Sequence, residues 1–144
     1  MTNSENKIES IVATIDILTN AFKIAWSKDT SSEENWSSEN PASGQCAVTA
    51  CVLQDYLGGK ILHTNAALSD GTTISHYFNS LSGTDIDLTK QQFPVGTVFS
   101  EAKQKTRGFS TTREYCLSFP GTYKRYELLK SRVTELTKDN AYLN

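Results

Sequence analysis

Residues 44–53 read Gly-Gln-Cys-Ala-Val-Thr-Ala-Cys-Val-Leu, and this stretch decides the prediction of the fold. From Ala47 onward a helix of this sequence would be apolar almost all round, which is typical of a helix buried at the centre of a protein. The following Gly58-Gly59 is a pair that commonly ends a helix. The pattern therefore predicts a central helix over residues 43–56.

The segments around this helix predict further elements. Apolar residues at three- and four-residue steps indicate amphipathic helices over residues 8–26 and 123–136. Residues 60–63 are typical of a short strand, followed by a polar loop. Residues 73–81 and 85–88 predict a hairpin with its turn between them. The order of helix, central helix, small antiparallel sheet and flanking helices predicts the α+β class.

Length and composition limit the classes of protein to consider. The chain has 144 residues, which fits one domain, and a net charge of −2, which gives no basic surface for nucleic acid. No segment is long and apolar enough to predict a membrane span. The polar start lacks the pattern of a secretory signal, so we expect a cytoplasmic protein. Three cysteines and two histidines, without paired ligand spacing, predict neither a metal site nor a cofactor.

Cys46 is the candidate nucleophile because it opens the central helix. The thiolate is the reactive form of cysteine, and the unpaired N–H groups of a first helical turn stabilise negative charge. With Ser43 as the cap, Cys46 is predicted at the third helical position. A free cysteine is also commonly a small buried apolar residue. The preceding Gly44 and Gln45 favour a site: glycine permits close approach of another chain, and the amide is predicted as a donor at the mouth of the site.

His76 and Asp87 are the candidate base and orienting acid. In a hairpin centred between residues 81 and 82 they would lie directly opposite each other on one face of the sheet, about 5 Å apart at Cβ. Asp85 points to the same face on the diagonal and is the alternative acid. His63 is the competing base, although no acid lies across a hairpin from it. Without such partners His76 would be an ordinary hydrogen-bonded histidine of a sheet.

Trp36 is assigned to a polar loop over residues 28–43. Tryptophans of this kind are commonly core anchors, and Trp36 is also a candidate wall of the substrate site. Together with Gly44 and Gln45 it completes the set of predicted oxyanion or substrate-binding residues.

Four motifs carry a resemblance to known families. They are Asn-Pro-Ala-Ser-Gly-Gln-Cys at residues 40–46, Gly-Gly at 58–59, His-Tyr-Phe-Asn at 76–79 and Asp-Leu-Thr-Lys-Gln-Gln-Phe at 87–93. The set is similar to that of the YunG-like family of small bacterial proteins. A GQC opening a helix, an H-x-aromatic-N strand and a D-x-T also resemble the core of transglutaminase-like, papain-fold cysteine enzymes.

The second resemblance implies a papain-like core over about residues 36–93 and a Cys46–His76–Asp87 triad. The expected activity is cysteine-dependent acyl transfer on an amide or ester of a peptide, a protein or a small molecule. Peptidase, amidase, deamidase and transglutaminase reactions all remain open. The alternative is a non-catalytic binding or regulatory module that keeps the fold of a cysteine hydrolase. It is motivated by the small size of the chain, by Ala47 in place of the usual aromatic residue and by the loop over residues 28–43, which would mask the cysteine.

Overall fold

Helix α2 (Cys46–Leu57) is the central element of the structure, a computed structural model that describes residues 3–141 and 143. Six consecutive residues of α2, from Val48 to Leu53, are buried. Because side chains on all sides of the helix are covered, its prediction as a central helix is confirmed.

Two long helices pack with α2 to form the main core. Helix α1 (Asn3–Ala25) contributes Leu18 and Phe22, and α4 (Pro120–Thr137) contributes Leu129 and Val133; all four are fully buried. Trp26 follows α1 and its indole N–H donates to the Thr49 hydroxyl of α2 at 2.9 Å. A shorter helix, α3 (Thr112–Leu117), adds Cys116 to a second cluster under α2.

The sheet has four antiparallel strands in the order β3-β2-β1-β4, with bounds β1 Lys60–Ala67, β2 Thr73–Leu81, β3 Thr84–Ile86 and β4 Val98–Phe99. Strand β1 pairs with β2 from Lys60↔Ser80 to Ala67↔Thr73. The predicted end of β1 at His63 is therefore wrong. Thr64 and Ala66 are buried and alternate with exposed residues, which is the pattern of a half-buried strand.

The β2–β3 hairpin turns through Ser82 and Gly83, both with positive φ, at 51° and 82°. A two-residue loop of this kind sets the register of a hairpin. It pairs Leu81 with Thr84 and Asn79 with Ile86, which is one residue later than predicted. Asp87 consequently lies just past the end of β3 and diagonal to His76, rather than opposite it.

The α+β class is thus confirmed by these helices and the small antiparallel sheet. Among the described residues, 3–141 and 143, no helix combines the length and the apolar composition that crossing a bilayer requires.

Candidate active site

Cys46 is the first residue of α2, and its thiol is partly exposed beside a pocket of about 300 Å³. The predicted cap at Ser43 is wrong, because Gln45 occupies the N-cap position and moves Cys46 from the third to the first helical position. The sulfur lies 4.0 Å from the carbonyl oxygen of Ser75 in β2. The loop over residues 28–43 therefore leaves the thiol accessible.

Gly44 sets the path of the chain into α2. Its φ of +71° is a conformation that other residues rarely adopt, and a Cβ there would lie 2.3 Å from the Ser31 hydroxyl oxygen and 2.8 Å from the Glu33 backbone nitrogen. Ser32 N–H also donates to the Gly44 carbonyl at 3.0 Å. The close approach of a second chain segment, predicted from the glycine, is therefore present.

Gln45 lies inside the protein. It is fully buried, and its side-chain Nε2 donates to the Ser27 carbonyl at 3.0 Å, while Oε1 has no partner among the described residues. The predicted position at the mouth of the site is wrong, because the amide donor is already used to fasten the start of α2 to the segment after α1.

Trp36 is half-buried in the loop before α2. Its indole N–H donates to the Pro41 carbonyl at 2.9 Å, which ties the loop to itself. It does not line the pocket beside Cys46, so the structure does not bring it together with the thiol.

His76 and Asp87 form a close pair. Nε2 of His76 lies 2.7 Å from Oδ2 of Asp87, and the second carboxylate oxygen accepts the Thr89 backbone N–H at 3.3 Å. The two residues share a face, as predicted, because the register differs from the expected one without reversing the alternation of side chains.

Aromatic rings surround the imidazole. His76 is 0 % exposed, and its ring centroid lies 4.8 Å from that of Phe93, 6.0 Å from that of Phe78 and 6.1 Å from that of Phe99. In such surroundings few positions remain for the ring, so the carboxylate at Nε2 determines its orientation. With Nε2–H donated to Asp87, Nδ1 is the nitrogen left to act as a base.

Cys46 lies near the imidazole that β2 carries. Strand β3 pairs only with residues 79–81 of β2, so within the described residues no strand pairs with β2 on that side near Ser75. The thiol lies within interaction range of the His76 ring, because it contributes to the raised pKa of that ring. Nδ1 of His76 is buried without a hydrogen-bond partner among the described residues. The unpartnered base and the thiol are therefore neighbours.

The pKa of His76 reflects this environment. Burial by itself lowers it, because the interior disfavours the charged ring, but the hydrogen bond that the ring donates to Asp87 and the neighbouring Cys46 raise the pKa of His76 to about 9. The protonated ring is thus stabilised between a carboxylate and a sulfur.

The competing residues have different surroundings. Burial, together with the charges of Lys105 and Arg107, lowers the pKa of His63 to about 4, and its Nε2 lies 2.5 Å from the Ser75 hydroxyl rather than near an acid. Asp85 lies opposite Ser80 and is exposed. Among the described residues neither forms an ion pair with His76 or Asp87, although the charge of His76 adds to the lowering of the His63 pKa.

The two other cysteines are buried. Burial raises the pKa of both the Cys51 and the Cys116 thiols to about 12, which keeps them protonated at neutral pH. Cys46 is the only one of the three that is partly exposed. Within residues 3–141 and 143 there is no group of three or more histidine, cysteine or acidic side chains placed to hold a metal.

Gln92 is a positioning residue that sequence reasoning missed. Its Oε1 accepts the Gly44 backbone N–H at 3.3 Å, and its backbone carbonyl accepts the side-chain amide of Asn40 at 3.1 Å. These bonds join the chain before Cys46 to the chain after Asp87. The signal in the sequence was the Asp-Leu-Thr-Lys-Gln-Gln-Phe motif itself, in which a polar residue follows the acid at a short distance.

Asn79 ties β2 to the central helix. Its side-chain amide donates to the Ala50 carbonyl of α2 at 2.9 Å, so it holds the sheet against the helix.

Comparison with known proteins places the chain among bacterial relatives. It is 42% identical over 72 residues to the "Uncharacterized protein YunG" of Bacillus subtilis (strain 168), a match that covers 50% of this chain and 56% of the relative. The match therefore spans little more than half the length of that protein. No solved structure matches the chain significantly. The profile of the YunG protein family matches residues 14–138, and the chain therefore belongs to the YunG family.

Proposed function

We propose that the protein is a cysteine-dependent acyl-transfer enzyme in which Cys46, His76 and Asp87 act together. The observation that carries the proposal is the buried imidazole bonded at Nε2 to Asp87, with Nδ1 unpartnered among the described residues and the Cys46 thiol within interaction range of the ring. A nucleophile, a base and a group that orients the base are the parts that covalent catalysis needs. The arrangement also supports a transglutaminase-like, papain-type core for α2 and the sheet.

In keeping with the His76 pKa of about 9, the proposed reaction starts from a protonated His76 ring that has taken the Cys46 thiol proton on Nδ1. The sulfur attacks the carbonyl carbon of an amide or ester, and the developing oxyanion lies near the first turn of α2, whose N–H groups have no carbonyl partner within the helix. When the tetrahedral intermediate collapses, the bond to the amine or alcohol breaks and His76 returns the proton to that leaving group. A thioester remains on Cys46.

The second half of the reaction releases the acyl group. Water or a primary amine attacks the thioester carbonyl, His76 accepts the proton of the attacking group, and the Cys46 sulfur leaves. Asp87 accepts Nε2–H throughout and so keeps Nδ1 as the nitrogen that exchanges the proton. We propose a peptide, protein or small amide as substrate, and the reducing cytoplasm as the compartment in which the thiol stays free.

The proposal is tested by trapping the thioester. The protein is mixed with p-nitrophenyl esters and with glutamine-containing peptides, quenched in acid and mapped by mass spectrometry. We expect one acyl group, on Cys46, and acylation slower by about 10²-fold or more in His76→Ala, since a general base contributes that much. Release in water compared with release in a primary amine separates hydrolysis from transfer.

The matched control is His63→Gln, which removes the other histidine and should leave acylation of Cys46 unchanged. Acylation at the same rate in His76→Ala would contradict the proposal. So would the absence of any acylation of Cys46 in the folded protein, a result that favours a non-catalytic module instead.

A further inference from the structure

The described residues that line the pocket beside Cys46 carry positive charge and no negative charge. Lys105 and Arg125 are among them, and none of them is acidic. Charges of one sign in a partly enclosed pocket raise the local concentration of ligands of the opposite sign. The composition of the wall therefore indicates an anionic group close to the thiol.

Arg125 of α4 has unused binding capacity. Its Nη2 donates to the Thr122 hydroxyl at 3.2 Å, but its Nε is buried and has no partner among residues 3–141 and 143. In the part of the chain that the structure describes it makes no ion pair, whereas Arg113 lies 2.9 Å from Asp55. A guanidinium presents planar donors that match a carboxylate, and a buried donor without a partner is unfavourable. A ligand anion would supply what is missing.

Lys105 is the second cation of the pocket. Its ammonium lies 5.8 Å from the Tyr115 ring centroid and, within the described residues, forms no ion pair with an acid. Its charge contributes to the low pKa of His63, after burial, and favours the thiolate of Cys116. The positive field of this lysine therefore acts on the interior of the pocket rather than being neutralised nearby.

The remaining wall suits the carbon skeleton of a small acyl group. Tyr77, Tyr115 and Phe119 line it, and its volume of about 300 Å³ is at the lower end of typical ligand sites. We propose that Lys105 and Arg125 select acyl donors that carry a carboxylate near the bond to be cleaved, either as an acidic side chain or as a chain-terminal group. That the bound anions are acyl donors rests on the proposed function, whereas the anion site itself does not.

The first test measures charge at the thiol without needing catalysis. Iodoacetate and iodoacetamide alkylate the same sulfur and differ in charge, so the ratio of their rate constants at Cys46 reports the local field. At low ionic strength we expect the ratio to fall by about threefold or more in Lys105→Gln and in Arg125→Gln, and further in the double variant.

Two control variants separate the effect of charge at the pocket from other effects of substitution. Lys124→Gln removes an exposed charge one residue away on the same helix and should leave the ratio unchanged. Arg125→Lys keeps the charge and should retain most of the ratio even if the packing of α4 changes. An unchanged ratio in the double variant would overturn the proposal.

The second test identifies the source of the carboxylate. Peptide donors with an internal glutamate or with a free C-terminus are each compared with the corresponding amide. We expect kcat/KM to favour one anionic donor at least about fivefold, and the preference to disappear in the double variant. Equal rates for all donors would contradict the selection of carboxylates. If the alkylation ratio falls in the variants but Cys46 is never acylated, the proposed function is contradicted and the anion site is still supported.

Discussion

Each nitrogen of the His76 ring has its own neighbour. Nε2 is held by Asp87 at 2.7 Å, Nδ1 is left without a hydrogen-bond partner among the described residues, and Cys46 lies within interaction range of the ring. An imidazole fixed in this way can exchange a proton at one atom while the other determines its orientation. The chemistry of the site therefore depends on the position of a single ring.

The three thiols should differ strongly in reactivity. Burial raises the pKa of Cys51 and of Cys116 to about 12, so only a very small fraction of either is thiolate at pH 7.5. We expect iodoacetamide to label Cys46 in the folded protein at least about 100-fold faster than the other two, as measured by peptide mapping over time. All three should react in guanidinium. Comparable labelling of the three thiols in the native protein would contradict the structure.

For single residues, the sequence predicted which side chains form the candidate site better than it predicted their relative positions. Cys46, His76 and Asp87 could be chosen because of their residue types and the alternation of side chains along a hairpin. The register could not be derived, since Ser82 adopts a positive φ that its residue type does not suggest. Gln45 was misplaced because an amide beside a candidate nucleophile gives no sign of whether it points into the pocket or into the core.

The elements of the site are held together by loops rather than by the sheet alone. The segment entering α2 contacts Ser31 and Glu33 on one side and Gln92 on the other, and Gly44 lies at this junction. The nucleophile and the orienting acid therefore depend on one tightly packed loop contact.

Gly44→Ala tests this contact. The new Cβ would lie 2.3 Å from the Ser31 hydroxyl oxygen and 2.8 Å from the Glu33 backbone nitrogen, and φ is +71°. We expect the free energy of unfolding to fall by about 2–4 kcal/mol, because both backbone strain and a steric clash are introduced.

The matched control is Gly96→Ala, where φ is also positive, at +93°, but nothing lies within 4 Å of the new Cβ. It should cost about 1 kcal/mol, the conformational part alone. Both values come from urea denaturation. Equal costs for the two variants would show that the loop does not pack as described.

The boundaries of helices and strands could be predicted where the sequence has a clear hydrophobic period or a residue that clearly ends the element. Residues 73–81 were predicted as a strand with the observed bounds, and the buried face of α2 followed from its apolar sequence. The extension of β1 past His63 could not be predicted, because Thr64 and Asn65 are polar and acquire strand structure only by pairing with His76 and Ser75.

The whole molecule should show opposite pH responses from its two histidines. The pKa of His76 is about 9, above its ordinary value of 6.5, so its stabilising contribution is present below pH 6.5 and is lost as the pH rises through 9. The pKa of His63 is about 4, below 6.5, so stability is lost as the pH falls from 6.5 through 4. We therefore expect the histidine contribution to stability to be greatest near pH 6.5.

Urea denaturation between pH 4 and 9 measures this profile. The loss on the alkaline side should approach about 3 kcal/mol, which corresponds to the difference between the folded and unfolded pKa values of His76. His76→Gln should reduce the loss of stability above pH 6.5, and His63→Gln should reduce the loss of stability below pH 6.5. A free energy of unfolding that increases from pH 6.5 to 9 would contradict the raised pKa of His76.

The α+β class followed from the order of elements, which is a property of the whole chain. The convergence of the site did not, because the thiol begins α2 and the imidazole lies in β2, so their meeting depends on how the helix packs on the sheet. No local pattern in the sequence encodes that packing.

An NMR titration of the His76 ring tests the meeting of thiol, imidazole and carboxylate most directly. The chain has only two histidines, so His63→Gln assigns both signals. We expect an apparent pKa of about 9 for His76, lowered clearly in Asp87→Asn and also in Cys46→Ala, and unchanged in the exposed Asp85→Asn. A pKa for His76 near 6.5, or one that does not respond to the removal of the Cys46 sulfur, would contradict the account.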